Sequence, residues 1–280
     1  MPELPEVETT RRGLLPHIEG QTIIKLLVRE YRLRQPIPFD LGERLEGQTI
    51  TAVIRRGKYL IIGLHQGSLL IHLGMSGSLR IVEDKHPYLP HDHVEFLLAN
   101  GKWLRFHDPR RFGLFSWIPQ TPEQAISEHP LLCRLGPEPF ANEFDGEYLW
   151  RIGRRRCSAV KPFIMDGRVV VGVGNIYATE SLFQSRIHPA YPCNQIDLDG
   201  YQRLAENIRL VLLAAIEQGG TTLRDFVSES GAPGYFRQSL MVYGRSGEFC
   251  KRCGGLIEGV RLSGRMSCYC SGCQVWWGRS

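Results

Sequence analysis

Two Cys-x2-Cys pairs, "CKRC" at 250–253 and "CSGC" at 270–273, are separated by sixteen residues. Four thiolates at this spacing form the two knuckles of a closed, tetrahedral zinc site. A redox pair is the competing reading, but the surrounding sequence lacks a thioredoxin-like βαβ context. With Cys250, Cys253, Cys270 and Cys273 filling every position, no place remains for a reactive water. The Zn2+, one per chain, is therefore expected to be structural, folding a segment too small to have a core. Between the knuckles, "GGLIEGVRLSGRMSCY" reads as a β-hairpin whose tip carries Arg261 and Arg265. Cys268 lies inside that hairpin and is not expected to be a ligand.

A second chemistry is written into the opening "MPELPEVETT". Met1 is normally removed when the next residue is small, which would leave Pro2 with a secondary amine at the chain start. An α-amine titrates near roughly 7.7–8.0, so its neutral form is accessible at physiological pH. Attack of that nitrogen on an aldehydic sugar carbon would give an iminium ion, a positively charged electron sink. Glu3 and Glu6 stand at i, i+3 beside it. They read either as proton shuttles to the sugar ring oxygen or as acids placed at the positive end of a helix.

Three further stretches combine glycine, proline and polar groups. "GVGN" at 172–175 precedes an apolar helical segment; it reads either as backbone amides presented to a phosphate or as a helix start capped by Asn175. "HLGMSGSL" at 72–79 sets His72 and Met75 among glycines, and "HDPRRFGLF" at 107–115 gathers Arg110, Arg111 and Phe112 behind a proline. A lone Met or Phe is usually core. In such turns the same residues read alternatively as exposed apolar wedges beside arginines, the device that kinks a duplex between base steps.

These residues need elements to hold them. Residues 3–15 predict a short helix with Pro5 in its first turn. From about 21 to 118, eight short β-rich runs follow one another without intervening helices: "TIIKLLV", "TITAVIRR", "KYLIIGL", "SLLIHLG", "SLRIV", "HVEFLLA", "KWLRFH" and "GLFSWI". "ANGKW" supplies an Asn-Gly hairpin turn. That pattern predicts an antiparallel sandwich or barrel. After "LLCRLGPEPF" the texture turns helical, with candidates at 146–156, 175–185 and 199–218; the last repeats apolar residues at a helical period. The boundary is expected between 132 and 146, giving an α+β chain of two domains: 2–135, then 146–240 with the zinc module at 245–280.

The chain has 280 residues, 42% of them hydrophobic, enough for two cores. Its net charge of +5 is small, but the excess is concentrated. Residues 151–168 hold six basic side chains and one acid, and residues 245–280 six and two. A basic C-terminal half points to a polyanionic partner. The acidic, proline-broken start is unlike a secretory signal, and "LVLLAAI" at 210–216 is too short to span a bilayer. Eight cysteines, four of them scattered, suit a reducing cytoplasm better than a disulfide scaffold.

Together these stretches resemble the bacterial formamidopyrimidine-DNA glycosylase / endonuclease VIII family. "PELPEVET", "HLGMSGSL", "DPRRFG", "LGPEP", "VVGVGNIYA", "QGGTTLRDF", "PGYF" and the four-cysteine finger are similar to its marks, in order, from Pro2 to about Gln274. Leu4, where the endonuclease VIII branch typically has glycine, and the "GMSG" loop favour the purine-excising branch. The resemblance implies a β-sandwich, a helix–two-turn–helix domain with a zinc finger, and damaged double-stranded DNA in the cleft between. It implies a bifunctional glycosylase/AP lyase of base excision repair that removes 8-oxoguanine and formamidopyrimidines and cuts the strand by β,δ-elimination. Pro2 would be the nucleophile at C1′, Glu3 the proton donor and acceptor, and Glu6 its support. Lys58 would lie near the lesion, and Asn175 and Arg265 would grip phosphates flanking the flipped nucleotide. His72, His91, Arg110 and Lys161 would make further DNA contacts. Met75, Arg110 and Phe112 would fill the gap left by the extruded base, and the loop around 228–236 would close over the lesion. A monomer acting on the bacterial nucleoid, with no membrane partner, is the corresponding expectation. The rival functions are a pyrimidine-lesion glycosylase of the endonuclease VIII type and a non-catalytic zinc-finger DNA-binding protein; a zinc hydrolase conflicts with a saturated metal site.

Overall fold

The computed structural model describes residues 1–83, 87–219 and 239–274. Contacts divide the chain into two compact units, with a break between Arg134 and Leu135.

The first unit opens with helix α1 (Leu4–Ile18). Pro5 occupies its first turn, where a missing N–H costs nothing, and the Glu3 amide donates to Glu6 Oε2 at 2.8 Å. The helix runs three residues beyond the predicted end and tolerates Pro16 in its last turn. Then come β1 (Ile23–Val28), α2 (Leu41–Leu45), β2 (Ile50–Arg56), β3 (Tyr59–Leu64), β4 (Ser68–His72), β5 (Ser78–Val82), β6 (Asp92–Leu98), β7 (Trp103–His107), β8 (Leu114–Ile118) and α3 (Pro122–Glu128). The eight strands form two antiparallel four-stranded sheets, ordered β1-β6-β7-β5 and β2-β3-β4-β8. This is the sandwich, not the barrel. Its core joins Leu69 and Ile71 from one sheet with Val94, Phe96 and Phe106 from the other, and with Val7, Leu14 and Ile18 of α1.

Register explains what the sandwich presents. His72 at the end of β4 pairs with Leu114 at the start of β8, while Ser78 at the start of β5 pairs with His107 at the end of β7. The β4–β5 and β7–β8 crossovers therefore leave and enter the sheets at the same end. They lie against each other: a Cβ at Gly74 would fall 2.4 Å from the Phe112 carbonyl carbon, and Gly74 has φ +67°. Only glycine fits there.

The second unit contains α4 (Gly146–Gly153), α5 (Val160–Met165), α6 (Asn175–Gln184), α7 (Leu198–Glu217) and the hairpin β9 (Ile257–Leu262) with β10 (Arg265–Cys270). Tyr201 of α7 packs so closely on α4 that a Cβ at Gly153 would lie 2.1 Å from its hydroxyl. The hairpin turns on Ser263 and Gly264, both at positive φ, as a type I′ turn requires. Among the described residues, no helix is long and apolar enough to cross a membrane.

Candidate functional site

Pro2, Glu3 and Glu6 are all buried at the start of α1, with Glu3 2% and Glu6 1% exposed. One turn further, Glu8 ties this helix to the β2–β3 hairpin. It binds Arg11 and Arg12 on its own helix and Arg55 on β2, the last at 3.0 Å. Burial works to raise its pKa, but the three guanidiniums outweigh it and hold the carboxyl down at about 2. Arg55 also donates to the Gly57 carbonyl at 3.0 Å. Gly57, at φ +57°, and Lys58 form the two-residue turn between Arg56 and Tyr59. Lys58 therefore sits at a hairpin tip anchored to α1, not inside the strand that the sequence suggests.

Tyr59 pairs in register with His72, their rings 4.9 Å apart. Burial, then the nearby charges of Lys58 and Arg34, push the His72 pKa down to about 4. Its Nδ1 accepts the Gly74 N–H at 2.9 Å, so the neutral ring carries its proton on Nε2. His72 thus offers a hydrogen-bond donor and no charge. Arg34, on the β1–α2 connection, escapes sequence reasoning because nothing in "YRLRQP" separates it from ordinary surface arginines. Its backbone N–H donates to the Gly113 carbonyl at 3.2 Å, which fixes this segment to the β7–β8 crossover.

The crossovers bring Met75, Arg110 and Phe112 to one end of the sandwich. Met75 and Phe112 are 36% and 42% exposed, too much for core side chains, and the Arg110 guanidinium lies 5.3 Å from the Phe112 ring centre. The exposed reading of these residues holds. His91, at φ 74° and exposed, joins them through its carbonyl, which accepts the Asp108 amide at 3.0 Å.

In the second unit, Gly174 caps α6 and Asn175 is its first residue, so the capping reading of Asn175 is corrected. The Asn175 side chain instead accepts from Lys161 Nζ at 2.6 Å. Lys161 is 1% exposed and also donates to Ser267 Oγ at 2.7 Å and to the Met266 carbonyl at 3.0 Å. These acceptors match the three N–H bonds of an ammonium. Lys161, for which the resemblance implies a DNA contact, is a buried strut between α5, α6 and β10. Arg265 lies exposed on β10 beside the hairpin turn. Glu180, also buried, accepts the backbone N–H groups of Met241, Val242 and Tyr243 at 2.8–2.9 Å, anchoring to α6 the segment that leads into the finger. The sequence signal for Glu180 is an acid in phase with the apolar stripe of "IYATESLF".

The cysteine sulfurs of 250, 253, 270 and 273 lie within 4.8 Å of one another. Cys253 and Cys270 are 3.4 Å apart, Cys250 and Cys273 3.9 Å. Zinc–sulfur bonds of about 2.3 Å in a tetrahedron put sulfurs roughly 3.8 Å apart, so the donor set fits a closed site. Cys268 is outside it, packed with Phe183, Val242 and Ile257.

Residues 1–115 match the formamidopyrimidine-DNA glycosylase N-terminal domain, and residues 135–227 the formamidopyrimidine-DNA glycosylase H2TH domain. The formamidopyrimidine-DNA glycosylase of Methylococcus capsulatus is 57% identical across 98% of this chain and 100% of its own. The chain belongs to the formamidopyrimidine-DNA glycosylase family. Among solved members of that family, a Lactococcus lactis variant in complex with Fapy-dG containing DNA superposes with a TM-score of 0.89 at 35% identity. It covers 98% of this chain and 100% of its own. The Lactococcus lactis enzyme with abasic-site DNA matches with the same TM-score and coverage at 34% identity. The formamidopyrimidine-DNA glycosylase fold accounts for both the sandwich and the helical unit with its finger. The 228–236 loop lies outside the described residues.

Proposed function

We propose that this chain excises oxidised purines, 8-oxoguanine and formamidopyrimidines, from duplex DNA and then cuts the strand through a Schiff base on Pro2. It is a DNA glycosylase and AP lyase of base excision repair. The observation that carries the finer reading is the start of α1: a buried Pro2–Glu3 pair whose backbone is fixed by Glu6, in a chain related to proteins solved on Fapy-dG and abasic-site DNA.

With Met1 removed, the Pro2 nitrogen attacks C1′ as the glycosidic bond breaks, and the departing base takes a proton. Glu3 protonates the ring oxygen as the sugar opens, leaving an iminium ion. That ion makes the 2′ hydrogen acidic. Loss of this proton expels the 3′ phosphate, a second elimination expels the 5′ phosphate, and water releases the sugar remnant from Pro2. The base must first leave the stack, at a cost of a few kcal/mol. Met75, Arg110 and Phe112 offset it by occupying the vacated space. Lys58, His72, His91, Asn175 and Arg265 hold the backbone, and Lys161 fixes Asn175 from behind.

Cys250, Cys253, Cys270 and Cys273 would hold Zn2+, which supplies the finger's fold. The protein acts as a monomer in the bacterial cytoplasm, on the nucleoid. Duplexes carrying a formamidopyrimidine or thymine glycol, assayed for base release and borohydride trapping, test this. Faster release of the purine lesion with a trapped adduct is expected. Preference for the pyrimidine lesion would assign the endonuclease VIII type, and absence of any adduct would leave only a DNA-binding protein.

A further inference from the structure

Asp108 is fully buried between the two crossovers that carry Met75, Arg110 and Phe112. Its carboxylate takes donors from both. Ser76 Oγ, in the β4–β5 crossover and 1% exposed, donates to Oδ1 at 2.6 Å. The Gly113 N–H, in the β7–β8 crossover, donates to Oδ2 at 2.8 Å. The Arg110 N–H reaches Ser76 Oγ at 3.2 Å and Asp108 Oδ1 at 3.3 Å. From the third side, the Asp108 carbonyl bonds His93 Nε2 at 2.8 Å. One carboxylate thus joins residues 76, 110 and 113, each within two positions of a side chain proposed to fill the vacated space.

We infer that Asp108 and Ser76 are positioning residues for base extrusion: they lock the two crossovers together so that Met75 and Phe112 reach the stack in fixed register. A wedge must displace a stacked base by fractions of the inter-base spacing. Two independent loops would spend binding energy on ordering themselves first, whereas cross-linked loops meet the duplex already ordered. The close backbone approach of Gly74 to Phe112 gives the steric half of this lock, and Asp108 gives the polar half.

Asp108→Asn keeps the shape but turns one acceptor into a donor. Ser76→Ala removes the bridge between Asp108 and the Arg110 amide. The inference rests on the proposed excision, so wild type is measured first on two probes: a formamidopyrimidine in matched duplex, which must be extruded, and a preformed abasic site in single-stranded DNA, which has no stack to leave. Both variants are expected to lower single-turnover excision from the duplex by about tenfold, the order of one lost buried hydrogen bond that holds a reacting geometry. Borohydride trapping on the single strand should stay within about twofold, because the Pro2 chemistry is untouched. Equal loss on both probes would reveal a merely structural role and overturn the inference, as would unchanged excision. If Asp108→Asn does not accumulate as folded protein, Ser76→Ala decides. A wild type inactive on both probes would instead refute the proposed function.

Discussion

The imidazole of His72 is a neutral donor at physiological pH, and that has a measurable sign. Its folded pKa, about 4, lies below the ordinary 6.5. Between these values the unfolded chain takes up a proton that the native ring refuses, so stability falls as pH drops from 6.5 to 4. Glu8, held at about 2 against 4.5, adds a loss as pH drops from 4.5 to 2. Urea midpoints recorded against pH should decline on acidification through both windows, and His72→Gln should flatten the upper one. An NMR titration should find the His72 ring neutral, protonated on Nε2 alone, down to about pH 5. Lys161 makes a second prediction. Lys161→Met would strand its three acceptors, of which Ser267 is buried, lowering stability by about 1–3 kcal/mol and DNA affinity about tenfold as Asn175 loses its brace. Unfolding curves and fluorescence anisotropy would check both; unchanged affinity would contradict the strut. The helix start around Pro5 was legible in "PELPEVET", but the residues alone left Glu3 and Glu6 open between proton shuttle and helix-end charge, and the roles proposed for Pro2 and Glu3 rest on the family resemblance. The burial of Lys161 was not, since its acceptors, Asn175, Met266 and Ser267, come from two other elements.

At the scale of elements, the strands were legible because β-branched runs bounded by Gly, Asn and Asp leave little else to form. Short helices escaped. α2, α3 and α5 are five to seven residues long, too short to show a helical period. The cysteine finger was visible as a spacing, but its attachment through Glu180 and Lys161 was not, because both bonds link residues distant in sequence. That attachment makes the finger a support for Arg265. Cys253→Ser, or zinc removal by a chelator, should release one equivalent of metal and weaken DNA binding at least about tenfold. The sandwich should stay folded, since its core contains no finger residue. Tight binding by metal-free protein would show that Arg265 needs no such support.

For the whole molecule, the modest net charge hides a concentrated basic half, and affinity should follow it. If Lys58, Arg110, Arg265 and neighbouring arginines neutralise about five phosphates, log affinity against log salt should fall with a slope between about −4 and −5. Neutral His72 adds a hydrogen bond without steepening it. Phe112→Ala should leave that slope unchanged while slowing excision, because it removes no charge. The central claim is that the nitrogen of Pro2 makes the covalent bond to the sugar. Peptide mapping by mass spectrometry after borohydride reduction on abasic-site duplex tests it most directly. The account predicts a reduced sugar remnant on a peptide that begins at Pro2 and lacks Met1. A remnant on Lys58 or another lysine, with Pro2 unmodified, would contradict it.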